Sequence, residues 1–195
     1  MIDPAPDGPL IQIHEDDWGM RNLYPLAASR DVARDMDVAV GSSERNRAPE
    51  GLGWTKVHLI EPPTFDYESA ELSLDRVAAS LAELMPRVRQ FNATSFAGFS
   101  GHDSLGSYEI DAYCFGFDAS CYLKVDPVAG GIVKAIWFEC RTPDAAKRAT
   151  LRRALEAVDG IVPSVVADYW LDLTGPIGDP EFLDAYLAEI TETSA

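Results

Sequence analysis

The sequence predicts an α+β domain: a mostly antiparallel sheet, built from a meander of about four strands plus N- and C-terminal strands, covered on one face by about three helices. Three observations carry this. Residues 91–99, 108–117, 120–125 and 132–140 are β-rich, follow one another across short stretches of Gly, Asp, Ser and Pro, and show no helical spacing between them. Three other segments repeat apolar residues at helical intervals. The order of these elements lacks the strand–helix alternation of a doubly wound parallel sheet or a TIM barrel. With 195 residues, 47% of them hydrophobic and 25% charged, the chain suits one folded domain over residues 1–195 and excludes disorder across most of its length.

Residues 1–9 hold three prolines and no periodic pattern, which predicts a flexible tail. Leu10 to His14 is a short strand, and the acidic cluster Glu15-Asp16-Asp17 follows it directly. Asp31 to Gly53 is polar, mixed in charge and punctuated by Gly41, Pro49, Gly51 and Gly53, so residues 31–53 are expected to form a long surface loop. Thr55 to Ile60 alternates and stops at Pro62-Pro63, a second strand. From Ser73 as N-cap, the residues Leu74, Val77, Leu81, Leu84, Met85 and Val88 form a helical stripe that Pro86 should end or kink.

Within the meander, alternation from Tyr108 to Tyr113 places Glu109 and Asp111 on one face and Tyr108, Ile110 and Ala112 on the other. Asp144 to Val158 is a second helix with Leu151, Leu155 and Val158 inside, ended by Gly160, and Lys147, Arg148, Arg152 and Arg153 mostly outside. Val165 to Leu173 reads as one strand. Asp179-Pro180 then opens a final helix whose inner face is Phe182, Leu183, Tyr186, Leu187 and Ile190.

The formal charge of −16, from 16 Lys+Arg against 32 Asp+Glu, disfavours nucleic-acid backbones and anionic lipid as partners. Lys147, Arg148, Arg152 and Arg153 are expected to pair with local acids. Cys114, Cys121 and Cys140 are odd in number, form no C-x-x-C pair and sit in apolar β-like text, which predicts buried reduced thiols in a reducing compartment. The N-terminal residues resemble no leader, and nowhere do 18 apolar residues run together, so no membrane span and a cytoplasmic location are expected. Phosphate-cradling glycine patterns are absent, and no cofactor is expected.

Candidate contact residues fall in four places. His14, Glu15, Asp16, Asp17 and Trp18 gather carboxylates and an imidazole, but strand geometry lets only His14, Asp16 and Trp18 share one side, short of a metal set. His58 lies alone in the strand Lys56–Leu59. The turn Gly98-Phe99-Ser100-Gly101-His102 invites comparison with a nucleophile elbow, yet His102 crowds the fifth position and a strand follows, so a hairpin loop is expected with His102 and Asp103 as ligand candidates. Asp168, Trp170 and Asp172 alternate with Tyr169, Leu171 and Leu173; rings set between acids suit a cationic group, and the same spacing suits a half-buried strand near an edge.

The first expectation for function is a non-enzymatic acidic binding protein that docks a basic protein partner. By analogy of charge and architecture alone, this is similar to small interaction domains such as toxin-neutralising immunity proteins. The alternatives are a small-molecule-binding or hydrolytic enzyme with a cleft holding His14, Asp16, His58, His102 and Asp103, and a homo-oligomeric structural protein.

Overall fold

The chain forms one eight-stranded sheet with helices on both faces. The computed structural model describes residues 9–48, 55–56, 63–95 and 106–193. In chain order the elements are β1 (Leu10–His14), β2 (Arg21–Pro25), α1 (Ser29–Arg45), α2 (Leu74–Ala82), β3 (Arg87–Thr94), β4 (Ser107–Asp118), β5 (Cys121–Val128) and β6 (Ile132–Cys140). After these come α3 (Ala145–Asp159), β7 (Ser164–Asp168), β8 (Leu173–Pro176) and α4 (Pro180–Thr193). The strand order is β1-β3-β4-β5-β6-β2-β7-β8. Among the described residues only β1 with β3 is parallel, and β3 to β6 form the expected antiparallel meander.

Strand alternation sorts the apolar residues onto two faces. On one, Leu23, Phe115, Leu123, Ile136, Phe138 and Val166 meet the inner stripes of α2, α3 and α4, which supply Val77, Leu81, Leu155, Val158, Leu183 and Ile190. Each fully buried side chain of this kind contributes roughly 1.5–3 kcal/mol by leaving water. Caps fix where these helices start: Ser73 Oγ accepts from the Arg76 amide, Asp144 Oδ1 from those of Ala146 and Lys147, and Asp179 Oδ1 from those of Glu181 and Phe182.

The opposite face holds a second cluster, with Ile11, Ile13, Phe91, Cys114, Tyr122 and Trp137 buried together and Trp18 packed against them. Phe91 on β3 and Trp137 on β6 have ring centroids 5.4 Å apart although two strands lie between them. In a flat sheet the backbones of these two strands stand about 14 Å apart, so the two rings lean in from either side over β4 and β5 and give this face a concave surface. The chain from His14 to Arg21 crosses this hollow, with Trp18 5.1 Å from Trp137 and 5.8 Å from Phe91. Farther along the same face, Val32 and Met36 of α1 pack on Ala167 and Tyr24.

Several elements differ from the expectation. Residues 29–45 are helical where a long loop was expected. Only Val32 and Met36 of that helix are buried, so its text is polar and its one-turn spacing is easily overlooked. β2 carries the buried pattern Arg21, Leu23, Pro25, and an arginine in a core position hides the period-two signal. Val165 to Leu173 is a hairpin of two strands, not one. Between Val88 and Gln90 the β3–β4 register shifts at Asp111, whose φ is +63°; Ile110 is therefore 77% exposed while Ala112 is buried, instead of sharing a face. Arg87 holds this irregularity by donating to the carbonyls of Asp111 and Ala112. α2 stops at Ala82, and Val88 belongs to β3. Most of the strand expected at Thr55–Ile60 lies outside the described residues, as do residues 1–8. Among the described residues no helix is long and apolar enough to cross a membrane.

Gly116 sits where β4 and β5 pass closest: a Cβ there would lie 2.5 Å from Tyr122 Cβ and 2.7 Å from the Cys121 carbonyl. Gly116→Ala is expected to lower the unfolding free energy by about 2 kcal/mol, read as a lower urea midpoint. At the start of α3, the amides of Lys147 and Ala146 hold the Asp144 carboxyl below its ordinary value of 3.8. That stabilisation is present above the unfolded value and lost as pH falls through the folded one. Asp144→Asn keeps an acceptor but has no acid form, so its unfolding midpoint should fall less than wild type between about pH 5 and about pH 2.

Candidate functional site: a buried ion network beneath an exposed tryptophan

At the end of the sheet where β2 begins and β6 and β7 finish, Arg21 is buried between two carboxylates. Its Nε donates to Asp168 Oδ2 at 2.8 Å and its Nη1 to Glu139 Oε1. Tyr186, from α4, donates its hydroxyl to the same Asp168 oxygen at 2.9 Å. The other Asp168 oxygen accepts the amides of Trp170 and Leu171 at 2.9 and 3.1 Å. Glu139 also accepts the Cys140 amide and pairs with Arg141 at 3.3 Å, and Arg141 reaches Asp17 at 3.2 Å. The network thus runs from a fully buried aspartate to the surface.

The charges are tuned by that burial. Desolvation works against the Arg21 guanidinium, but Glu139 and Asp168 hold its pKa above the ordinary value. Burial pushes the Glu139 carboxyl up, with Arg21 and Arg141 pulling the other way. Burial and the facing Asp168 push the Tyr186 phenol well up, so it stays protonated and donates to Asp168. A buried charge is tolerated only when partnered in this fashion.

The consequence at the surface is the β7–β8 turn. Asp168 anchors it from inside, the Tyr169 amide donates to the Met20 carbonyl at 2.9 Å, and Asp172 adopts φ +53°. Asp168, Trp170 and Asp172 therefore do not share one strand face: Asp168 is in the core, Asp172 is exposed in the turn, and Trp170 is 51% exposed. The expected alternation fails because an aspartate that bonds amides two and three residues ahead bends the chain instead of extending it. Trp170, one of the paired expectations, stands out in solvent.

The His14 to Trp18 group is not a strand beyond His14, because Glu15–Asp17 is a 3₁₀ turn. His14 Nδ1 accepts the Asp16 amide at 3.3 Å, and Nε2 lies 2.8 Å from the Ser95 carbonyl, to which it must donate. Both ring nitrogens are engaged. Glu15 and Asp16 are exposed, Asp17 pairs with Arg141, and Trp18 packs in the concave face. Among the described residues, no group of three or more His, Cys, Asp or Glu side chains stands together as a metal site. His58, His102 and Asp103 lie outside the described residues.

A second buried cation, after Arg21, escaped the sequence reading. Lys124 on β5 faces the concave side, 2.8 Å from Glu109 Oε2 and bonded to Asp126, whose other oxygen accepts the Trp137 indole at 2.9 Å. Burial opposes its charge, and Asp126 and Glu109 restore it above the ordinary value. Its signal was its register: Tyr122 and Lys124 alternate with Cys121, Leu123 and Val125, so one lysine had to enter an apolar face. The Lys124 ammonium is buried while Glu109 and Asp126 are half-buried, and the triad supports the fold. The basic cluster is likewise engaged, Lys147 with Asp118, Arg152 with Glu156 and Asp184, and Arg148 with the carbonyls of Thr142 and Pro143. A shallow groove of about 590 Å³ between α2 and α3 is lined by Arg76, Ser80, Glu83, Arg153 and Glu156, both signs together, and includes none of the candidate residues.

Comparison with protein families, with characterised proteins and with solved structures finds no match. Arg21→Met strands Glu139 and Asp168 without their shared cation. It is expected to cost about 3–5 kcal/mol of unfolding free energy in urea titrations, the range for breaking a buried pair.

Proposed function

We propose that this protein is a non-enzymatic binding protein that docks a basic protein partner, with Trp170 as the anchor of the contact. The observation that carries this reading is the half-exposed indole of Trp170 on a turn that Asp168 holds from the core. A large aromatic ring kept in water on a pre-ordered turn loses little entropy when a partner covers it, which is the property of interface anchors. Asp172 stands exposed two residues away, and an indole face beside a carboxylate suits an arginine or lysine side chain.

Charge supports the same reading. The net charge of −16 already counts Arg21 and Arg141, both paired with carboxylates of this chain, so a partner meets a net negative field. Such a field raises the association rate of a basic partner and makes it sensitive to salt. The rival cleft of His14, Asp16, His58, His102 and Asp103 has only His14 and Asp16 among the described residues, and both His14 nitrogens are already in use.

The test is capture from a lysate of the source on immobilised protein at low ionic strength, followed by a salt step and identification of the eluate. A basic protein that elutes in the salt step, and whose affinity falls about tenfold with Trp170→Ala, is the expected result. Capture unchanged by Trp170→Ala, or no basic protein captured even at low salt, overturns the proposal.

A further inference from the structure

We infer that Cys121 and Cys140 are an oxidisable cross-strand pair, a site at which a small-molecule disulfide such as glutathione disulfide closes a bond between β5 and β6. The two residues are direct partners in the β5–β6 register, and both side chains lie buried on the helix-covered face. The ladder shows which kind of pair they make. The Arg141 amide donates to the Ser120 carbonyl at 2.8 Å, so Ser120 and Arg141 are a hydrogen-bonded pair and the adjacent Cys121 and Cys140 are not. The Cys140 amide confirms it by donating to the Glu139 side chain instead of across the ladder. Non-hydrogen-bonded partners bring their Cα atoms to about 4.5 Å and their side chains closer than the alternate pairs. That lies at the short end of the span of about 4.4–6.8 Å that a disulfide bridges. Cys114 belongs to the concave face, across the sheet from both.

The pair also sits at one end of the β5–β6 ladder. Cys121 is the first residue of β5 and Cys140 the last of β6, and only the Ser120–Arg141 bond lies beyond them. Over them lies the first turn of α3, whose Lys147 carbonyl is 3.8 Å from Cys121 Sγ. Burial pushes the Cys121 thiol up to about 12 and the Cys140 thiol up to about 11, so thiolate forms when this end frays and the reaction is slow. The Cys140 thiolate attacks one sulfur of the oxidised reagent and expels one thiolate. The Cys121 thiolate then attacks the Cys140 sulfur of the mixed disulfide and expels the second. Two protein thiols lose two protons and two electrons, and the reagent is reduced to two thiols. The closed bond ties down the strand end that carries Glu139 and Arg141, and because its span is short it yields readily to a dithiol reductant.

The test uses the native full chain. After prolonged incubation with glutathione disulfide and blocking with N-ethylmaleimide, proteolysis without reduction and mass spectrometry should find a Cys121–Cys140 cross-link with Cys114 alkylated. Cys114→Ala should give the same cross-link, and the oxidised protein should unfold at a higher urea midpoint that returns to the starting value with dithiothreitol. A cross-link that includes Cys114, or Cys121 and Cys140 both alkylated after oxidation, overturns the inference.

Discussion

The Arg21 guanidinium ties together the two parts of the sheet that β2 joins. β1, β3, β4, β5 and β6 form one block, and β7 with β8 forms another; β2, from early in the chain, is the strand that joins them. Arg21 pairs with Glu139 on the β6 side and with Asp168 on the β7 side, so one buried cation spans the seam. Removing each of these charges from water costs several kcal/mol, which only full partnering offsets. A one-residue slip of β2 would turn Arg21 to the other face and take from both carboxylates the cation they share, so the network also fixes the register.

From that constraint the surface follows. Asp168 has two oxygens and four partners: Arg21 and Tyr186 take one oxygen, the Trp170 and Leu171 amides take the other. The side chain that closes the seam therefore also shapes the β7–β8 turn. Because α4 contributes Tyr186 and β2 contributes Arg21, sequence-distant elements must all be in place before Trp170 is displayed. In the proposed binding role the charged centre acts through position, by presenting the indole in an acidic field, while Arg21, Glu139 and Asp168 themselves stay buried.

Much of the layered fold was legible in the sequence because each signal was local. The meander from β3 to β6, the stripes of α2, α3 and α4, and the caps Ser73 and Asp179 all depend on neighbours a few residues apart. What could not be read depends on distant residues. Arg21 looks like a surface residue until Glu139 and Asp168 are known to flank it, so β2 carries no visible strand pattern. α1 buries only Val32 and Met36 and reads as a polar loop. Trp170 was singled out for its acidic neighbours, but its exposure came from the bend that Asp168 imposes, and no periodicity encodes a side chain that bonds its own turn.

Amide hydrogen exchange at residues 169–172 in the native protein tests most directly whether the buried network holds the displayed turn. Exchange of the Trp170 and Leu171 amides slowed by at least about a hundredfold relative to an unstructured chain, and accelerated in Tyr186→Phe, is the result this account requires. Exchange of those two amides at the unstructured rate in the wild-type protein would contradict it, because the Asp168 bonds that position Trp170 would then not persist in solution.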